Sequence, residues 1–167
     1  VEFLRSYRYD FVRVLGEVGW PGWEIRPSDV EYEQTWGEII DYLYDNGLRT
    51  EFTLMGDGTD TPPIDVAHMI ARVVNAGRTH KMMGFEAANE GHIERQQAID
   101  VVRYLRAHTA VSLVATTAWD YLPDPVQLHT VSGATETTVH TDRSNPDGRG
   151  WRQVRQTWEF KGLPGVV

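Results

Sequence analysis

The chain has 167 residues, 41% of them hydrophobic, enough apolar material for one domain spanning 1–167 with a sizeable core. Its formal net charge of −8 and the lack of any Lys/Arg cluster exclude a nucleic-acid or anionic-membrane surface, which needs a basic patch, and favour neutral or cationic partners. No apolar run approaches the roughly 20 residues that span a bilayer, so we expect a soluble chain, and without cysteine there is neither a disulfide nor a thiolate metal site.

Strand and helix patterns alternate along the chain. "YDFVRVLGEV" (9–18) has the β-branched and aromatic character of a strand. In "YEQTWGEIIDYLYDNG" (32–47), Trp36, Ile39, Ile40 and Leu43 recur at helical spacing, and Asn46-Gly47 supplies a stop. "LRTEFTLMG" (48–56) is the second strand. In "DVAHMIARVVNAG" (65–77), Asp65 is the expected N-cap and Val66, Met69, Ile70, Val73 and Val74 form the inward stripe. "KMMGFEAAN" (81–89) is the third strand; "IERQQAIDVVRYLRAH" (93–108) is a helix with Ala98, Ile99, Val102 and Leu105 inward. "AVSLVATTA" (110–118) is the fourth strand, "WDYLPDPVQLHTVSGA" (119–134) reads as irregular, and "ETTVHT" (136–141) is the fifth strand. A further helix, "GWRQVRQTWEF" (150–160), and the opening of another strand, "LPGVV" (163–167), complete the pattern.

Alternating strands and helices with short connections imply parallel strands joined by right-handed crossovers, either in an open doubly wound sheet or in a barrel. The turn after the first strand, "GEVGWPGWEI" (16–25), lacks the G-x-G-x-x-G spacing that marks many doubly wound nucleotide-binding folds. Barrels carry their chemistry on polar residues at the C-terminal ends of several strands. Such residues are present: Arg13 and Glu17, Asp57, Asn89 and Glu90, Trp119 and Asp120, and His140 and Asp142, one group per strand.

The segment "GFEAANEGH" (84–92) resembles the fourth-strand signature of the clan of retaining (β/α)8-barrel glycoside hydrolases that includes cellulases, mannanases and xylosidases. Phe85, Glu86, Asn89 and Glu90 match its aromatic-Glu-x-x-Asn-Glu order. "FVRVLG" (11–16) is similar to the clan's second strand, with Arg13 at the position of its arginine. "TTVHTDR" (137–143) is similar to the sixth, with His140 at the position of its histidine. Gly91 stands where the clan most often has Pro, and Ala88 where an aromatic is common.

The resemblance implies an incomplete (β/α)8 TIM barrel covering about the second to sixth strands. It further implies a retaining two-carboxylate mechanism on O-glycosidic bonds of an oligo- or polysaccharide. Such a mechanism needs two carboxyl groups about 5 to 5.5 Å apart. Glu90 is then the acid/base, Asn89 a donor to the sugar 2-hydroxyl, Arg13 the support of the nucleophile and His140 an orienting group. The nucleophile itself is expected beyond Val167, and the chain, which opens on Val1, is expected to be a piece of a longer polypeptide. Trp20, Trp23 and Trp119 offer flat rings for stacking on sugars.

Each assignment has a structural counterpart. Asn89-Glu90 is also a plausible helix cap, Glu86 a hydrogen-bonded interior residue and Arg13 an ion-pair partner of Glu17 or Glu86. His140 is equally read as a satisfied histidine, and Trp20 and Trp23 as packing of a loop on the rim. A non-catalytic sugar-binding or structural barrel module of a larger assembly, such as a virion or cell-surface component, is the competing function. "DGTDT" (57–61) lacks the EF-hand spacing, and no histidine pair has zinc spacing, so no metal or other cofactor is assigned. The missing strands are expected from the same polypeptide or another chain, and the compartment is unassigned.

Overall fold

A computed structural model of the chain describes residues 1–89, 93–119 and 125–140. A short helix, α1 (Glu2–Ser6), precedes five strands and four longer helices: β1 (Phe11–Glu17), α2 (Tyr32–Asp45), β2 (Arg49–Met55), α3 (Pro63–Asn75), β3 (Met82–Ala88), α4 (Arg95–His108), β4 (Val114–Trp119), α5 (Pro125–Ser132) and β5 (Glu136–His140). A 3-10 turn, Thr79–Lys81, leads into β3. The five strands expected between residues 9 and 141 are thus present. The helix and strand expected at 150–160 and 163–167 lie outside the described residues.

The five strands form one sheet in the order β1-β2-β3-β4-β5, and every adjacent pair is parallel. Among the described strands the order follows the chain without reversal, so these five show no switch point of the kind that defines a doubly wound fold. Right-handed crossovers between successive strands put the connecting helices on one face. The core confirms it: Trp36 and Ile40 of α2, Val66 and Ile70 of α3, and Val102 and Leu105 of α4 cluster with Phe52, Leu54, Phe85 and Val114 of the strands. The Trp36 and Phe52 rings meet edge-on, centroids 4.8 Å apart.

Period-two alternation divides each strand between this apolar layer and the opposite face, free of the helices α2 to α5. In β2, Phe52 and Leu54 are buried under the helices, while Glu51 and Thr53 point the other way, toward Arg13 and Glu86. Gly16 of β1 is required by the apolar side, since a Cβ there would lie 2.6 Å from the Phe52 ring and 2.7 Å from the Leu54 carbonyl oxygen.

Two local expectations are corrected. Asp65 does not cap α3. The helix starts two residues earlier at Pro63, whose fixed φ and missing N–H suit a first helical position, so Asp65 lies inside the first turn. The stretch read as irregular contains α5, again with proline at its start and with Leu128 buried. The α4 start is a reciprocal capping box, in which the Glu94 N–H donates to the Gln97 side-chain oxygen at 3.2 Å and the Gln97 N–H donates to the Glu94 carboxylate. Among the described residues no helix is long and apolar enough to cross a membrane.

Candidate functional site

The helix-free face carries charge at its centre. The Arg13 guanidinium donates from Nε and Nη2 to the two Glu51 oxygens, at 3.3 and 3.1 Å. Its Nη1 lies 3.4 Å from Oε2 of Glu86. The Thr53 hydroxyl donates to the same Glu86 oxygen at 2.6 Å. Glu86 is fully buried, and only charge-assisted bonds of this kind make such a carboxylate tolerable.

Burial by itself lowers the Arg13 pKa, but the hydrogen bonding to Glu51 and the charges of Glu86 and Glu51 more than offset this, and the guanidinium is held above its usual range. Glu136, which opens β5, has its carboxyl pushed above the usual range, first by burial and then by the Glu51 charge. Thr53, Glu86, Ala115 and Glu136 stand on one level of the ladder, with Arg13 and Glu51 two residues toward the N-terminal side.

A second tier lies at the C-terminal edge. Glu17, Met55 and Ala88 are register partners, and the Asn89 N–H donates to the Met55 carbonyl at 2.7 Å, which fixes Asn89 directly off the end of β3. Trp119 and His140 end β4 and β5 and are register partners of one another. Trp20 and Trp23 sit in the loop after β1, in a turn closed by the Trp23 N–H on the Trp20 carbonyl at 2.8 Å. They are 44% and 79% exposed.

The backbone therefore brings Asn89, Trp119, His140 and the two loop tryptophans to one edge of the sheet. Glu90, Asp120 and Asp142 lie outside the described residues. Arg13 is not at this edge. It is the third residue of β1, level with Gly84, and five residues of strand, roughly 16 Å, separate that level from Asn89. Of the two ion-pair partners expected for Arg13, the structure has Glu86 and not Glu17.

Sequence reasoning missed Glu51, the closest partner of Arg13, although "RTEFTLM" (49–55) alternates polar and apolar residues and marks Glu51 and Thr53 as sharing a face. It also gave Glu17 only the part of an Arg13 partner and missed its bonds to the loop after β2. Its Oε1 accepts from the Asp60 and Thr61 N–H groups at 3.3 and 3.2 Å and from the Thr61 hydroxyl at 2.9 Å. Beside it, Tyr32 donates to the Gly16 carbonyl at 2.8 Å, and burial raises its phenol pKa well above the usual value. No family model, no curated protein and no solved structure matches this chain.

Proposed function

We propose that the chain is part of a (β/α)8-barrel retaining glycoside hydrolase acting on an oligo- or polysaccharide. The observation that carries the proposal is the position of Asn89. It leaves the C-terminal end of a strand in a parallel sheet wound in sequence order, three residues after a buried Glu86, where barrel enzymes place catalytic groups.

Arg13 on β1 reaches Glu86 on β3 across β2, on the face opposite the helices, the side that forms the packed interior of a barrel.

In the proposed mechanism Glu90 protonates the departing glycosidic oxygen and later takes a proton from water, while Asn89 donates to the 2-hydroxyl as oxocarbenium character develops. The mechanism also needs a second carboxylate, about 5 to 5.5 Å from Glu90, as the attacking group. His140 orients a carboxylate, and Trp20, Trp23 and Trp119 stack on sugar faces. Arg13 supports the site from below, through Glu86 and the strand it belongs to.

The test is hydrolysis of a panel of aryl glycosides by the full-length polypeptide, with the anomeric product followed by NMR. Retained configuration is expected. Glu90→Gln should reduce turnover about 10²-fold or more for poor leaving groups and much less for activated ones that need no protonation. A Glu90→Gln protein as active as wild type on poor leaving groups would remove Glu90 from the mechanism. Sugar binding without turnover of any substrate would favour the binding module.

A further inference from the structure

The last turn of α2 closes in a Schellman motif. With Asn46 at the C-cap, the Gly47 N–H donates to the Tyr44 carbonyl at 2.8 Å and the Leu48 N–H to the Leu43 carbonyl at 3.0 Å. Gly47 has φ +79°, the left-handed conformation that the motif needs and that glycine adopts without strain. Leu43 and Leu48 are both buried, as the apolar pair of such a cap is. The Asn46 side chain adds a bond of its own, Nδ2 donating to the Tyr42 carbonyl at 2.8 Å. Gly47 is exposed, and a Cβ built on it would meet nothing within 4 Å. Asparagine followed by glycine is also the pair in which backbone and side chain react most readily with each other, because no side chain on the second residue hinders its nitrogen. In this chain the same nitrogen is a donor that closes the helix.

We propose that Asn46-Gly47 is a self-modification site gated by this helix cap. When the turn opens, the Gly47 nitrogen bonds to Cγ of Asn46, the Cγ–Nδ2 bond breaks, and Nδ2 leaves as ammonia with the proton of the Gly47 N–H. Water then opens the succinimide at either carbonyl, leaving aspartate or isoaspartate at position 46. While the motif is closed the step is blocked in two ways. The Gly47 N–H is held by Tyr44, and ring closure needs a large rotation away from the folded Asn46 ψ of 13°. Helix ends open at a lower free-energy cost than the core, so opening of this turn sets the rate. The product re-forms the cap poorly. In place of an N–H donor, a carboxylate faces the Tyr42 carbonyl at the negative end of the helix dipole, in a last turn that already carries Asp45 and has no basic residue. Isoaspartate also lengthens the backbone just before Arg49, whose N–H donates to the Asp10 carbonyl where the β1–β2 ladder begins. The site does not depend on the glycosidase proposal.

The experiment incubates the full-length polypeptide at mildly alkaline pH and follows replacement of the Asn46 amide by a hydroxyl through peptide mass spectrometry. The free peptide of residues 42–49 in the same buffer is the reference, and Asn75, which precedes Ala76, is the internal control. Conversion is expected at Asn46 and not at Asn75, severalfold slower than in the free peptide. Leu48→Ala, which removes the buried anchor of the cap, should speed it severalfold; if that variant does not fold, urea below the unfolding transition should do the same. Asn46→Asp should lower Tm by about 2 to 4 °C at neutral pH. Conversion as fast as in the free peptide, or unchanged by both Leu48→Ala and urea, would show that the cap gates nothing and would overturn the proposal. So would conversion at Asn46 no faster than at Asn75, or an Asn46→Asp protein that melts with wild type.

Discussion

Arg13 and Glu86 are joined across an intervening strand, Nη1 of one lying 3.4 Å from Oε2 of the other, with Glu51 of the strand between them gripping the same guanidinium. Three strands are thus tied by one cation on the face that the helices leave uncovered.

Removing that cation leaves Glu86 charged in a site with no exposure. Arg13→Met should destabilise the protein by about 3 kcal/mol, the lower end for breaking a buried pair because Arg13 is partly exposed. Adding Glu86→Gln should restore a large part of the loss. Urea denaturation of the single and double variants measures this, and additive effects would mean that the two side chains are not coupled.

Glu136 gives a pH signature. Its folded pKa is raised by burial and by Glu51, so the folded state binds the proton more tightly than the unfolded chain. Its contribution is complete below the unfolded carboxylate pKa, about 4.3, and is lost as pH rises through the folded value. Glu136→Gln should therefore raise Tm at pH 7 and make little difference at pH 3.5. A benefit of equal size at both pH values would exclude the ionisation of Glu136 as its cause.

Asp41 behaves with the opposite sign. Its carboxyl is held below the usual range, chiefly by the Arg78 hydrogen bonds and also by Lys81. Arg78 donates from Nε and Nη2 at 2.9 Å each, and Lys81 approaches to 2.9 Å. Stability from this cluster is present above the unfolded pKa and disappears as pH falls through the folded one. The Asp41 side chain is 36% exposed, so Asp41→Asn should cost only about 1 kcal/mol at pH 7 and nothing measurable once the carboxyl is protonated. Thermal melts of wild type and variant across pH 2 to 7 show whether the curves converge.

Gly16→Ala tests the packing between sheet and helices. The new methyl meets the Phe52 ring and the Leu54 carbonyl, and Phe52 is itself pinned against Trp36. Overpacking at such a place costs about 1 to 3 kcal/mol. A neutral outcome would show that the β1 edge shifts freely.

The order and type of the strands and of the three long helices were legible because each carries a clear period. Of the expected stripes, Trp36, Ile40 and Leu43, Val66, Ile70, Val73 and Val74, and Ala98, Ile99, Val102 and Leu105 are buried, while Ile39 and Met69 are partly so. α5 was obscured by its shortness and weak amphipathicity, although Pro125 at its first position was a usable start signal. Asp65 was misassigned because capping chemistry and first-turn acidity favour the same residue type, and Pro63 decided between them.

The site divides in the same way. Residues at strand ends, such as Asn89 and His140, follow from strand boundaries alone. The partnership of Arg13 with Glu51 depends on the relative register of two strands 38 positions apart. The burial of Glu17 depends on a loop 43 positions downstream. Neither can be derived from local spacing.

Strand order that repeats chain order has a consequence for how the protein is made. Each strand pairs with the one synthesised just before it, so every closure spans one helix and its two connections, and loop entropy grows only slowly with such lengths. The sheet can be laid down one unit at a time as the chain leaves the ribosome, with Arg13 and Glu51 already paired before Glu86 has been added. The buried carboxylate then arrives at a cation that is waiting for it, and the growing intermediate is spared a stage in which Glu86 is enclosed without its counter-charge.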